Sequence, residues 1–240
     1  MAYYSKLKTT GDQFSAMMNG FGVVTVMNAK VFELPADKSF DFSTKTAEDI
    51  RDDLADAVKG ESTTLGFTLL AEIDTLKIAN VTVEGPSKTI TGGQYTNPLI
   101  KFGKTARLEM QDALGRADAI EAFGGSINEY SDDKYTTVTA MHVTEDFAPI
   151  RLVIGDSFFI GKDSGQQVRV NVIFYQVSPD SILNLTQDAE GDATVFDMNA
   201  DLLTTEILIG IDGQNSEPHG VFYSIVPEKN DTTSTPEEDN

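Results

Sequence analysis

Apolar and polar positions alternate along much of this chain, and where the alternation stops the spacing turns helical. Residues 21–34, FGVVTVMNAKVFEL, concentrate Val and Phe and predict a strand. Residues 46–59, TAEDIRDDLADAVK, instead bring Ile50, Leu54, Ala57 and Val58 to one side at helical spacing. Thr46 is placed to cap that helix. Glu48 and Asp49 put negative charge in its first turn, where the helix dipole favours it, and Gly60 supplies a stop. The same spacing assigns Asp49, Asp52, Asp53 and Asp56 to a wet face. Residues 63–84 return to period two, with Phe67, Leu69, Ala71 and Ile73 in phase.

In TARLEM, Ala106, Leu108 and Met110 alternate with Thr105, Arg107 and Glu109, which predicts a strand continuing to about Asp112. A long helix from Thr105 is the competing reading, and Gly115 in its middle weighs against it. ADAIEAF, 117–123, reads as a short helix ending at Gly124 and Gly125. From Lys134 onward the pattern is β throughout. KYTTVTAMHVTE and PIRLVIGDSFFIG are followed by a KDSG turn and by QQVRVNVIFYQV, where Val168, Val170, Val172 and Phe174 fall on one face. ILNLTQ and TTEILIGI are further strand candidates. Residues 1–20 read as an extended arm, 21–226 as one β domain without internal repeat, and 227–240 as an acidic disordered tail.

The 240 residues are enough to bury a sizeable core. No run approaches the roughly 18 apolar residues of a membrane helix, and the first residues do not form a secretory leader. The chain has no cysteine, which removes disulfides, thiolate metal sites and cysteine nucleophiles and fits a reducing cytoplasm. A formal charge of -20 opposes binding to nucleic acid or to anionic membranes. Such charge serves solubility, or keeps a surface from holding DNA that must pass it.

Candidate chemistry is thin. FGKT at 102–105 has Pro98 where a phosphate-binding loop requires its first glycine. Asp188, Glu190 and Asp192 alternate, as do Asp197, Asn199 and Asp201, in the manner of calcium ligands. The second run, however, has Leu202 at the glycine position and Leu208 at the position of the bidentate Glu. Solvated loop carboxylates are the plainer reading. His142 and His219 lie far apart without a ligand partner at i+4, no G-x-S-x-G elbow occurs, and no Trp is present to stack on sugars. No catalytic, cofactor-binding or metal-binding residue is assigned, and the chain is read as a structural protein, not an enzyme.

Three segments resemble the tail tube proteins of long-tailed bacteriophages. They are the early strand with the polar loop and helix 46–59, the central GKTARLEMQDALGRADAIEAFGG, and the late VRVNVIFYQVSPDSILNLTQDAEGDATVFDMNADLL. The resemblance covers most of residues 20–210. It implies a mainly β fold with short helices, a β-sandwich whose inner sheet joins its neighbours into a ring-shaped β-barrel. It further implies homo-oligomeric, hexameric rings stacked head to tail as an acidic conduit for DNA. Expected partners are tape measure, tail terminator and baseplate proteins, in a virion tail assembled in the bacterial host cytoplasm. The arm 1–20 and the loop 35–46, with Phe40 and Phe42, are the candidate inter-ring contacts, and the two phenylalanines read equally as local core anchors. The alternatives are a β-sandwich binding module, either a capsid decoration or a host-glycan binder, and an acid-catalysed hydrolase.

Overall fold

The Val- and Ile-rich runs become the long strands of a single antiparallel sheet. The computed structural model describes residues 21–23, 26, 28–36, 40–74, 76–84, 87–89, 99–101, 105–112, 117–132, 135–143, 149–161, 167–180, 184–186, 195–209 and 217–227. In chain order these form β1 (Phe21–Val23), β2 (Asn28–Glu33), a 3-10 turn (Phe42–Thr44), α1 (Ala47–Lys59), β3 (Thr68–Ile73) and β4 (Leu76–Glu84). Next come β5 (Ser87–Thr89), β6 (Leu99–Lys101), β7 (Thr105–Asp112), α2 (Ala117–Ala122), β8 (Gly125–Asp132), β9 (Tyr135–Val143), β10 (Arg151–Gly161) and β11 (Gln167–Pro179). The last elements are β12 (Asn184–Thr186), β13 (Val195–Leu202), β14 (Thr205–Ile209), β15 (Glu217–Val221) and β16 (Tyr223–Pro227). The fold is mainly β with few short helices, as expected.

The main sheet runs β3-β2-β10-β11-β13-β7-β4, with β1 added along β10, β12 along β13 and β16 along β11. β14–β15, β5–β6 and β8–β9 are separate two-stranded ladders. β3 and β4 stand at opposite ends of this path yet are consecutive in the chain, with Asp74 and Thr75 between them. The path therefore curls until its two ends approach each other. The strand expected over 21–34 divides in two: β1 pairs with Phe159–Gly161, and β2 pairs with Arg151–Asp156.

Two apolar cores flank the central strands. On one side Phe32, Leu152, Ile154, Ile173 and Tyr175 pack against Ile50 and Leu54 of α1, with Phe42, Phe67, Ile207 and Val226. On the other, Val31, Val153, Val172, Phe174 and Val177 share a core with Leu108 and Met110 of β7, Met198 and Ala200 of β13, and Ile120 and Phe123 at α2. β10 and β11 are therefore apolar on both faces, which explains their near-continuous hydrophobic sequence. Val172 and Phe174 do share a face, as expected; Val168 lies outside the residues whose side chains are described. The in-phase series Phe67, Leu69, Ala71, Ile73 does not hold. Opposite Val31 and Phe32 the register shifts, so Phe67 and Leu69 join the α1 side while Ala71 and Ile73 join the other.

α1 forms where the sequence predicts it, for the predicted reason. The Thr46 hydroxyl accepts from the Asp49 amide at 3.1 Å, and the Asp49 carboxylate accepts from the Thr46 amide at 3.1 Å, a reciprocal capping box. Gly60 takes the left-handed conformation, φ 71, that ends the helix, and its amide donates to Ala57 and Asp56. Burial of Ile50 and Leu54 contributes on the order of 1.5–3 kcal/mol each. The expected wet face needs one correction. Asp49 is exposed and Asp52 and Asp56 are half-buried, but Asp53 is 5% exposed. Its Oδ1 accepts from the amides of Thr64 and Leu65, so the carboxylate anchors the loop that returns the chain from α1 to β3.

Phe40 and Phe42 also turn inward. Phe42 is buried, and their rings meet edge to face at 4.8 Å, with Phe40 against Phe67 and Phe42 against Tyr175. These two side chains are core anchors of the 3-10 turn, not free inter-ring contacts. The arm 1–20 lies outside the described residues. Pro227, expected to open the tail, instead closes β16, and its carbonyl accepts from Arg51 Nη1 of α1 at 2.6 Å; residues 228–240 lie outside the described residues.

Two substitutions test this packing. Asp53→Ala leaves two loop amides without their acceptor and is expected to lower unfolding free energy by about 1–3 kcal/mol in denaturant titration; an unchanged midpoint contradicts the anchoring role. Gly155 sits in β10 where an added Cβ would lie 2.3 Å from Val26 Cγ1. Gly155→Ala is expected to cost about 1–3 kcal/mol through overpacking, read as a lower Tm.

Candidate functional site: a polar sheet face beside an open edge

The alternation in TARLEM decides the two faces of β7. Ala106, Leu108 and Met110 enter the core, so Thr105, Arg107, Glu109 and Gln111 stand on the opposite face. β13 is in register with it: Asp201 faces Arg107, Asn199 faces Glu109, and Asp197 faces Gln111. The acidic alternation at 197–201 is thus the outer face of a strand, not a calcium loop. Its members run along β13 instead of converging, and each acid has a cross-strand partner. Gln111 Nε2 donates to Asp197 Oδ1 at 2.8 Å, and Arg107 Nη1 lies 3.5 Å from Asp201.

Arg107 carries the electrostatics of this face. Its guanidinium pairs with Asp180 just beyond β11, with Asp201, and at 3.9 Å with Glu109. The side chains are wet: Arg107 is 41% exposed, Glu109 50% and Asp201 65%. Three carboxylates around one guanidinium leave the patch negative, and Asp197 extends that negative field along β13. Each pair is screened by water, so the network positions side chains more than it stabilises the fold.

β4 borders the patch. It pairs with β7 from Leu76 to Glu84 and, among the described residues, with no other strand. Thr82 opposes Arg107, whereas Val81 and Val83 oppose Leu108 and Ala106 and so lie on the core side. They are nonetheless 36% and 47% exposed. A core-facing row that loses its cover at an unpaired nine-residue edge is a ready template for another strand. β12, short and on the far side of β13, likewise has no second partner among the described residues.

Asp188, Glu190 and Asp192, and Phe102 to Lys104 of FGKT, lie outside the described residues. His142 stands in β9 opposite Ser126, and His219 is exposed in β15 opposite Ile207, on separate ladders. Among the described residues no three His, Asp or Glu side chains gather as a metal site, and no helix is long and apolar enough to cross a membrane. Sequence reasoning missed Asp180 and the edge valines. Asp180 follows β11 and meets Arg107 only because β13 brings β11 and β7 together, and nothing in the 63–84 pattern marks Val81 and Val83 as edge positions.

Arg107→Met is expected to leave Glu109, Asp180 and Asp201 without their shared cation and to cost about 1 kcal/mol at low ionic strength. Added salt should narrow the gap in Tm between variant and parent, because it screens the repulsion that remains; a gap that is independent of salt contradicts an electrostatic origin.

No protein-family model matches the chain, and no curated protein matches it.

Proposed function

We propose that the chain is a structural subunit of a bacteriophage tail tube, polymerising as stacked hexameric rings around an acidic conduit for DNA. One observation carries the reading. A single stretch of sheet combines a wet carboxylate-rich face, an apolar opposite face, and an edge that is unpaired among the described residues, with Val81 and Val83 exposed.

In this reading the curled sheet is a β-sandwich. α1 covers the outside of the β2–β10–β11 layer, the shared core lies beneath it, and β4, β7, β13 and β12 form the inner layer. Pairing β4 of one copy with β12 of the next extends that inner sheet head to tail, and such contacts close into rings when the rotation closes. Closure removes both exposed edges and lines a bore with the Glu109–Asp197–Asp201 face. A net charge of -20, repeated around each ring, repels phosphate, so a polyanion slides without being held. The ring order, the stacking, the tape measure, terminator and baseplate partners and the virion location follow from the tail-tube resemblance. The protein acts by assembly and not by catalysis.

Negative-stain microscopy of the purified chain at high concentration is expected to show rings or tubes with an axial hole. Val81→Lys with Val83→Lys places charge on the proposed joint and should leave folded monomers by light scattering. Discrete particles without a hole at every concentration, as a monomeric binding module would give, overturn the proposal. So do tubes from the double variant that match those of the parent.

A further inference from the structure

Three polar side chains stand side by side across the three central strands. Lys30 is on β2, Asp156 on β10 and Asn171 on β11. All three lie on the α1 side of the sheet, one layer along from Phe32, Ile154 and Ile173. The Asp156 carboxylate touches both others: Oδ2 accepts from Lys30 Nζ at 3.1 Å, and Oδ1 accepts from Asn171 Nδ2 at 2.9 Å. Asn171 is 7% exposed and the Lys30 side chain 15%. Glu72, directly opposite Lys30 on β3, lies 3.7 Å from Nζ and is half exposed.

An amine, a primary amide and one carboxylate shared between them are the groups needed to form an amide bond between side chains. We propose that Lys30 and Asn171 form an intramolecular isopeptide bond, with Asp156 as the proton carrier. Asp156 Oδ2 takes a proton from the Lys30 ammonium, which frees the Nζ lone pair. Nζ attacks Asn171 Cγ and forms the new C–N bond. Asp156 delivers its proton to Nδ2, and the Cγ–Nδ2 bond breaks as ammonia leaves. The second Nζ proton returns to Asp156 and departs with the ammonia as ammonium. The carboxylate ends as it began, one amide replaces another, and neither oxidant nor co-reactant is required. Approach of groups already fixed by strand pairing replaces the encounter that makes such a reaction slow in solution.

The bond would tie β2 to β11 across β10 and enclose the chain from residue 30 to residue 171. That is the constraint a long-loop disulfide gives, in a chain with no cysteine. The inference is independent of the tube reading and holds for the isolated chain.

Denaturing mass spectrometry of the purified full-length chain tests it. The parent is expected to weigh one ammonia less than its sequence, and trypsin should leave one cross-linked species joining the segments of Lys30 and Asn171, uncut after Lys30. That species separates the bond from succinimide formation at Asn19–Gly20, which loses the same mass. Lys30→Arg keeps the charge and cannot form the bond, and Asp156→Ala removes the proton carrier. Both are expected to restore the full mass at this site, with native circular dichroism confirming that Lys30→Arg is folded. A folded parent of full sequence mass after prolonged incubation, or a cross-link that persists in Asp156→Ala, overturns the proposal.

Discussion

The structure depends on one constraint: β10 and β11 are apolar on both faces. Leu152, Ile154, Ile173 and Tyr175 point one way, and Val153, Val172, Phe174 and Val177 the other. Neither face can be left to water, since each buried side chain of this size is worth roughly 1.5–3 kcal/mol. α1 and the 3-10 turn cover the first face, and the limb β13–β7–β4 with α2 covers the second. The curl of the sheet path, which brings the end of β3 near the start of β4, is what delivers that second cover. Polar anchors fix the covers in place. Asp53 holds the loop after α1, Arg51 ties α1 to the end of β16, and Arg151 Nε donates to the Ala122 carbonyl at the end of α2.

Once both faces of the central strands are covered, the outer face of β7 and β13 has nothing left to bury and becomes the wet surface. Its composition follows from that position. Charged and amide side chains alternate with core residues on the same strands, so part of the chain's acidic character is held there as an ordered patch. The same geometry leaves β4 at the margin, where its valines still follow the core pattern but the core has ended. A sheet with a polar face, an apolar back and, among the described residues, unpaired edges at β4 and β12 is what the proposed assembly uses.

Where local rules act, the sequence was read correctly. Thr46, Asp49 and Gly60 define α1 through hydrogen bonds within a few residues, and the period-two pattern of 105–110 assigns both faces of β7. Reading fails where a contact spans long separations or a register slips. The bulge opposite Val31 and Phe32 moves Ala71 and Ile73 to a different core from Phe67 and Leu69, and no local pattern announces a bulge. Asp53 looked wet because helical spacing cannot see a loop folding back from residues 64 and 65. Phe40 and Phe42 left contact and core-anchor readings open because the partners that decide between them, Phe67 and Tyr175, are distant in sequence. Asp197, Asn199 and Asp201 resembled metal ligands by spacing, although an extended strand holds them apart.

The sequence by itself determined the class of the fold, the one well-capped helix, the inward and outward phases of β7 and the strong negative charge, because periodicity, capping chemistry and composition are short-range properties. The tertiary structure alone decided which of the described strands are neighbours, and that Asp180 meets Arg107 while Lys30, Asp156 and Asn171 meet across three strands. Those groupings arise from hydrogen-bonded register between segments far apart in the chain. The free energy that selects them is the covering of two apolar faces at once, a quantity that no single segment carries.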